Sequence, residues 1–191
     1  IMILGVGSLP QPLWTMVHVV TPGVLSNGIL QWSWYFTRAV LRLAMKDPRA
    51  GRDNTIRIIA FNAAIILLTV GMWKQQSWLT VTTAGAVGVI IAWHGLALVS
   101  CLRTRFGNRL AVLVQYYAVA AGFLVLGCVY AGFVTVAMFD NGAPAWVVSM
   151  RDDLTLAHAL VNLLGWVGIT ILGTLIMLGP TILRGPLTGY A

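Results

Sequence analysis

The stretch "LTLAHALVNLLGWVGITILGTLIMLG", residues 154–179, decides the fold class of this chain. It is predominantly apolar, and a bilayer core of about 30 Å is crossed by about 20 helical residues, so the stretch predicts a transmembrane helix. The same stretch carries His158 and Asn162, which are four residues apart and therefore share one helix face. Polar side chains are costly in lipid, so this pair indicates a partner or a function inside the protein.

The composition of the whole chain supports a membrane protein. Of its 191 residues, 59% are hydrophobic and only 9% are charged, whereas soluble domains carry about 25% charged residues. The net charge of +7 would suggest nucleic acid in a soluble protein. Here the basic residues cluster next to apolar segments, which is typical of topology signals at a membrane surface. We therefore expect a lipid bilayer and no nucleic acid as partner.

Five apolar segments are long enough to span the bilayer, and the predicted fold is an all-α polytopic transmembrane helix bundle in one domain, residues 1–191. A β-barrel would instead show short alternating strands. The sequence begins at Ile1 and ends in a polar tail, and it is compatible both with a complete chain and with a part of a longer protein. The predicted spans are residues 12–45, 55–73, 77–102, 109–139 and 153–183.

The linkers between these segments predict local structure. The linker "KQQ", residues 74–76, is so short that the second and third helices should form an antiparallel hairpin. The linker 140–153 is longer and acidic, and Asp152 or Asp153 is a candidate N-cap of the fifth helix.

The distribution of Lys and Arg predicts the orientation. Only Lys74 and Arg151 lie on one side of the predicted bundle, and the other basic residues lie on the opposite side. Since cytoplasmic loops are enriched in Lys and Arg, the N-terminus should lie outside and the end of the fifth helix in the cytoplasm. Trp14 then falls at the outer interface, and Trp34 and Tyr35 fall near the inner one, as in an aromatic belt.

All three histidines of the chain fall inside predicted spans. His18 and His158 lie about six and five residues inside the outer ends of the first and fifth helices, so both are roughly 8–10 Å deep. Equal depth predicts that they point into the bundle and bracket a common site. Two neutral imidazoles there can ligate a haem iron axially or share a copper ion, with Asn162 orienting His158. The alternative is that each imidazole only hydrogen-bonds a neighbouring group.

Small residues and proline surround these positions. Pro22 frees a backbone carbonyl four residues after His18 and should bend the first helix. Gly165 lies on the His158 face, where a flat cofactor ring could lie without meeting a side chain. The more ordinary explanation of such glycines is close helix packing. Cys101 and Cys128 form no CxxC pair, and we expect them to be packing residues.

A second polar group is expected in the inner half of the membrane. Matching depths predict that Asn62, His94 and Gln115 approach one another, with Tyr116 and Arg38 nearby. These side chains could simply hydrogen-bond one another. The alternative is a quinone pocket or a second haem ligand, which makes His94 a further candidate for cofactor binding.

Four stretches together resemble an actinobacterial membrane domain that is found fused ahead of copper oxidase or copper nitrite reductase modules. The resemblance covers most of residues 14–184, and its last motif is the most specific. A similar His-bearing motif occurs in haem–copper oxidase subunits and in the haem- and copper-containing NnrS proteins. The stretches are "VHVVTPGVLSNGILQWSWYFTRAVLR", "IAWHGLALV", "VQYYAVAAGFLVLG" and "LAHALVNLLGWVGITILGTLIMLGPTILR".

The resemblance implies a bacterial inner-membrane protein in which His18, His94 and His158 are functional and Asn162 supports them. One departure stands out. The family motif often reads AHAHLNLLG, with a second His two residues after the first, and Leu160 stands at that position here. No cupredoxin module is present in these residues, so copper nitrite reductase chemistry cannot be placed on them.

The function that follows is a membrane redox module that binds haem b, with copper as the second candidate, near the outer surface. It would pass electrons between quinone and an extracytoplasmic copper-type partner. The alternative is a non-catalytic anchor or assembly subunit of a larger respiratory complex. A transporter is less attractive because no broken helix pair or inverted repeat is visible. Whether the module is itself an enzyme stays open.

Overall fold

The computed structural model describes residues 11–43, 52–103 and 111–182, and these are helical almost throughout. Five of the helices are long and apolar enough to cross a membrane, so the prediction of an all-α polytopic bundle is confirmed. The first four spans are Pro12–Leu41, Arg52–Trp73, Ser77–Arg103 and Ala111–Phe139, and the fifth, Arg151–Ile176, belongs to a helix that continues to Ile182.

The ends of the helices differ from the predicted ones by a few residues. The first span ends at Leu41 because Arg42 takes up the left-handed conformation, with φ of 49°, and the predicted continuation over residues 44–45 lies outside the described residues. The short turn at 74–76 closes the predicted hairpin, with Gln75 at a φ of 52°.

The prediction that Asp152 or Asp153 caps the fifth helix was wrong. The helix begins at Arg151 after Met150, so both carboxylates lie in its first turn. There they still favour the helix, because the N-terminal end of the helix dipole is positive. The linker before it also contains a short helix, Ala145–Ser149, that the sequence did not indicate.

The second to fifth spans pack as successive neighbours, and the inner half of the first span lies against the third and fourth. A central core takes side chains from all five spans. One buried member from each span, in chain order, is Leu30, Phe61, Ile91, Ala120 and Trp166. By contrast, few backbone positions of the first and fifth spans lie close to each other, and side chains fill the space between these two spans.

Glycines bring the third and fourth spans together. A Cβ at Gly95 would lie 3.2 Å from the Cβ of Ala121, and one at Gly88 would lie 3.4 Å from the Cβ of Cys128. Small residues allow such close approach in membrane bundles, so Gly88 and Gly95 serve helix packing.

The two spans that carry the outer histidines both depart from α-helical geometry. Val19–Ser26 and Val161–Gly168 are π-helical, and these segments begin one residue after His18 and three residues after His158. The distortion expected at Pro22 is the first of these segments, whereas the second was not foreseen. Trp166 Nε1 donates a 2.9 Å hydrogen bond to Ser26 Oγ, which joins the two segments. Such π-segments are frequent at functional sites.

Candidate cofactor site

The imidazoles of His18 and His158 face each other across the space between the first and fifth spans. Their ring centroids are 6.2 Å apart and the ring planes differ by 8°. The prediction that the two rings come together inside the bundle is therefore confirmed. Both side chains are half-buried.

Each imidazole is oriented through its Nδ1. His18 Nδ1 lies 2.9 Å from the carbonyl oxygen of Trp14, and His158 Nδ1 lies 2.9 Å from that of Gly127. A carbonyl oxygen can only accept, so in each ring Nδ1 carries the hydrogen and Nε2 carries the lone pair. A histidine that ligates a metal is typically held in this way, with its other nitrogen donating to a carbonyl or a carboxylate.

An indole fixes the plane of the first imidazole. Trp14 stacks on His18 with ring centroids 4.0 Å apart and an interplanar angle of 14°. The sequence analysis placed Trp14 only in the outer aromatic belt. Its spacing of four residues from His18 is the signal that could have placed it in the site, since such residues are neighbours on a helix.

Asn162 contacts His158, as predicted. Its Nδ2 lies 3.1 Å from Nδ1 and 3.4 Å from Nε2 of the ring. Because the Nδ1 hydrogen is directed at Gly127, the amide can donate only to the Nε2 lone pair, and at 3.4 Å that bond is weak. Asn162 Oδ1 is buried and has no hydrogen-bond partner in the described part of the chain.

Gly127 makes this arrangement possible in two ways. Its carbonyl oxygen accepts from His158, and its missing side chain leaves room for the Asn162 amide, which a Cβ would overlap. The sequence analysis counted the glycines of the fourth span only as packing residues. A single sequence does not show whether a glycine makes room for a neighbouring side chain, as Gly127 does, or for the close approach of another helix.

The prediction that a flat cofactor lies across Gly165 was wrong. The ring of Phe123 fills that face, and a Cβ at Gly165 would lie 2.6 Å from the Cβ of Phe123. Gly165 therefore packs the fifth span against the fourth. Leu160, which stands where the family motif carries a second His, is 46% exposed on the surface of the bundle.

The inner polar group assembles differently from the prediction. His94 Nε2 lies 2.9 Å from Ser33 Oγ, and Asn62 exchanges two hydrogen bonds, of 2.9 and 3.0 Å, with Asn27. Gln115 is exposed. The prediction that Asn62, His94 and Gln115 partner one another was wrong, because the first span supplies polar side chains at both depths.

Arg57 is the inner residue that the sequence analysis missed. It was counted as a topology signal, yet it is 1% exposed, and its guanidinium lies over the rings of Trp34 and Trp93, 4.8 and 5.4 Å from their centroids. Trp34, which was expected in the inner aromatic belt, is buried too. The available signal was position, since Arg57 lies inside a span and basic residues there usually serve a function.

Comparison of the chain with protein-family models, with curated proteins and with solved structures finds no match in any of the three.

Proposed function

We propose that this protein is a membrane redox module that binds haem b between His18 and His158. The observation that carries the proposal is the pair of nearly parallel imidazoles, with ring centroids 6.2 Å apart, in each of which Nε2 carries the lone pair. Two metal–nitrogen bonds of about 2 Å, with the distance from each nitrogen to its ring centroid, span about 6 Å between centroids. The observed centroid separation equals this span, so one metal ion fits between the rings when each imidazole directs its Nε2 at the other ring.

Haem is preferred to copper because the tetrapyrrole would bring four nitrogen donors of its own, so the chain would have to supply only two ligands, His18 and His158. The separation of the first and fifth backbones supports this choice, since a flat group between them would displace side chains rather than helix backbone. Bound haem would supply one-electron chemistry. The chain supplies His18 and His158 as ligands, while the carbonyls of Trp14 and Gly127 hold the imidazole tautomers that leave Nε2 unprotonated.

The electron route in this proposal runs from quinone to a copper-type partner outside the cell. The predicted depth of the histidines, roughly 8–10 Å from the outer surface, supports such a route because it places the ligands within short reach of an extracytoplasmic protein. The route requires the orientation derived from the basic residues, with the N-terminus outside the bacterial inner membrane. A single cysteine introduced in the loop 46–54 should resist an impermeant thiol reagent in intact cells, and labelling there would reverse the orientation.

A non-catalytic anchor or assembly subunit is the second candidate. It is favoured by one observation, which is that each outer imidazole already has a backbone partner and needs no metal to be satisfied.

The visible spectrum of the purified protein separates these candidates. Dithionite reduction should shift a Soret band, and both His18→Ala and His158→Ala should remove it while the protein stays helical and monodisperse. His94→Gln, a change of another intramembrane histidine, serves as the matched control and should keep the band. Metal analysis identifies copper if the Soret band is absent but metal is bound. A His158→Ala protein with its full cofactor content, or a wild-type protein with neither haem nor copper, would refute the redox proposal.

A further inference from the structure

The inner half of the bundle contains a buried cation, Arg57, whose guanidinium interacts electrostatically with Asp53, one helical turn earlier, without forming an ion pair with it. Arg57 is 1% exposed, and its guanidinium donates one long hydrogen bond, from Nη2 to Asn54 Oδ1 at 3.3 Å. Arg57 forms no ion pair with any described residue. The ion pair found in the described ranges joins Arg151 and Asp152 at the start of the fifth span. Two indole faces stabilise the charge by cation–π contact, but they accept none of its in-plane hydrogens.

Three nitrogen atoms of this cluster have no hydrogen-bond partner among the residues that the structure describes. They are Arg57 Nε, Trp34 Nε1 and His94 Nδ1, and all three are buried. They come from the second, first and third spans, and their side chains are neighbours, because the guanidinium lies over Trp34 and the Trp34 and His94 rings are 6.4 Å apart between centroids. Buried polar atoms are rarely left without a partner, so this coincidence of three indicates a ligand.

The hydrogen bonds of Ser33 define what His94 offers to such a ligand. We assign the single hydrogen of Ser33 Oγ to the Leu30 carbonyl at 3.3 Å, and in that assignment His94 Nε2–H donates to Ser33 Oγ at 2.9 Å. The remaining nitrogen, Nδ1, then carries a lone pair. The cluster therefore presents two donors, on Arg57 and Trp34, and one acceptor, on His94.

This combination selects the chemistry of the ligand. The ligand needs an oxygen that accepts from Arg57 and Trp34 and a hydroxyl hydrogen for His94. A carboxylate is ionised at neutral pH and has acceptor atoms only. The cluster also lies within spans, so a ligand that arrives through the lipid is favoured. A quinol headgroup meets all of these conditions, since its hydroxyl oxygen accepts and its hydroxyl hydrogen donates.

We propose that Arg57, Trp34 and His94 bind the hydroxyl group of a lipid-soluble quinol in the inner half of the membrane. The choice of quinol rests on the redox function proposed above, but the binding itself requires no haem. The three nitrogens are covered by neighbouring side chains, so the quinol headgroup has to displace one of these side chains to reach them. Trp93 is the candidate, because it lies against the guanidinium and is 39% exposed at the surface of the bundle.

Equilibrium binding of a radiolabelled short-tailed naphthoquinol to the purified protein in nanodiscs, without oxygen, tests this site. His94→Gln retains a polar group near Ser33 and removes Nδ1, and Arg57→Lys keeps the charge and removes Nε. Each should weaken quinol binding about tenfold or more, as the loss of a hydrogen bond to a charged or polar group does. Asn62→Leu, a polar-to-apolar change elsewhere in the membrane, is the control and should bind like wild type.

Comparing quinol with its oxidised quinone adds a measurement that a purely structural role for His94 would not affect. The quinone has no hydroxyl hydrogen, so His94→Gln should weaken quinol binding more than quinone binding. Equal losses for both forms, wild-type affinity in both variants, or no binding to the wild type would overturn the proposal.

The His158→Ala protein separates this inference from the proposed function. It should bind quinol as wild type does. Binding that depends on Arg57 and His94, found together with a wild-type protein that contains no haem, would support the inner site and refute the haem proposal. If the wild type contains haem but the Arg57 and His94 variants bind quinol like wild type, the haem proposal would be supported and the inner site refuted.

Discussion

The two polar sites of this bundle, named outer and inner after the orientation predicted from the basic residues, differ in how their nitrogen atoms are hydrogen-bonded. At the outer site each imidazole donates from Nδ1 to a backbone carbonyl, so the lone pair lies on the same atom, Nε2, in both rings. At the inner site His94 is bound through Nε2 to a serine, and the nitrogens left over belong to three different side-chain types. Two identical lone pairs suit one metal ion, whereas a mixture of donors and an acceptor suits an organic hydroxyl.

The two sites also differ in the packing around them. The outer pair lies between the first and fifth spans, whose backbones stay apart, and both spans change to π-helix beside it. The inner cluster lies where the first span packs against the third, in regular α-helix. A separated, distorted pair of helices leaves room for a large flat group, while a regular interface admits only a headgroup that displaces a side chain.

Removing the Asn162 amide beside His158 should change cofactor affinity more than any other substitution considered for comparing the two sites. Asn162→Leu deletes the amide that packs against the His158 ring, 3.1 and 3.4 Å from its nitrogens. Because this amide holds the ring by contact and by one weak hydrogen bond, its loss should weaken cofactor binding about tenfold, the lower end of the usual cost of losing a residue that orients a metal ligand. Titration of the apoprotein with haemin measures this affinity. The matched change Asn62→Leu affects an amide whose partner is another amide and should leave haemin binding as it is. Equal affinities in the two variants would mean that Asn162 does not support the outer site.

Gly127 provides a second, smaller test of the same contrast. Gly127→Ala places a Cβ where the Asn162 amide lies and should destabilise the protein by about 1–3 kcal/mol, as overpacking does. It should weaken haemin binding as well. Gly132→Ala is the control in the same helix, because a Cβ there meets nothing within 4 Å, and alanine should leave the midpoint of thermal unfolding unchanged or higher. A Gly127→Ala protein as stable as the control would show that Asn162 moves aside at no cost.

The fold and half of the outer site could be predicted from the sequence. Hydropathy and length are sufficient to define spans, because every apolar run here has to cross the bilayer. Equal depth brought His18 and His158 together correctly, since both lie near the outer ends of their helices. Depth says nothing about rotation around the helix axis, however. For that reason Gln115, which is exposed, was assigned to the interior.

The rest of the site depends on geometry that a sequence does not reveal. The π-segments rotate the residues that follow them, so the α-helical spacing that placed Gly165 beside His158 no longer holds. Arg57 followed the positive-inside pattern by its position in the chain, and only the fold shows that two tryptophans cover it. The Gly127 carbonyl is a backbone group, and backbone groups are invisible in residue patterns.

The smallest predicted effect concerns the paired amides of Asn27 and Asn62, which lie outside both sites. Their two mutual hydrogen bonds join the first and second spans, and each Nδ2 also donates to a backbone carbonyl of its own helix, to Gly23 at 2.6 Å and Ile58 at 2.8 Å. Side-chain hydrogen bonds between membrane helices average about 0.6 kcal/mol in double-mutant cycles and reach about 1.7 kcal/mol. We expect a coupling energy in that range from Asn27→Leu, Asn62→Leu and the double variant, measured by reversible unfolding in bicelles. Haemin and quinol binding should stay at wild-type levels in all three, because neither amide contacts either site. A loss of quinol binding in Asn62→Leu would mean that the inner site extends to this amide pair. The pair would then bind the ligand and would not serve packing alone.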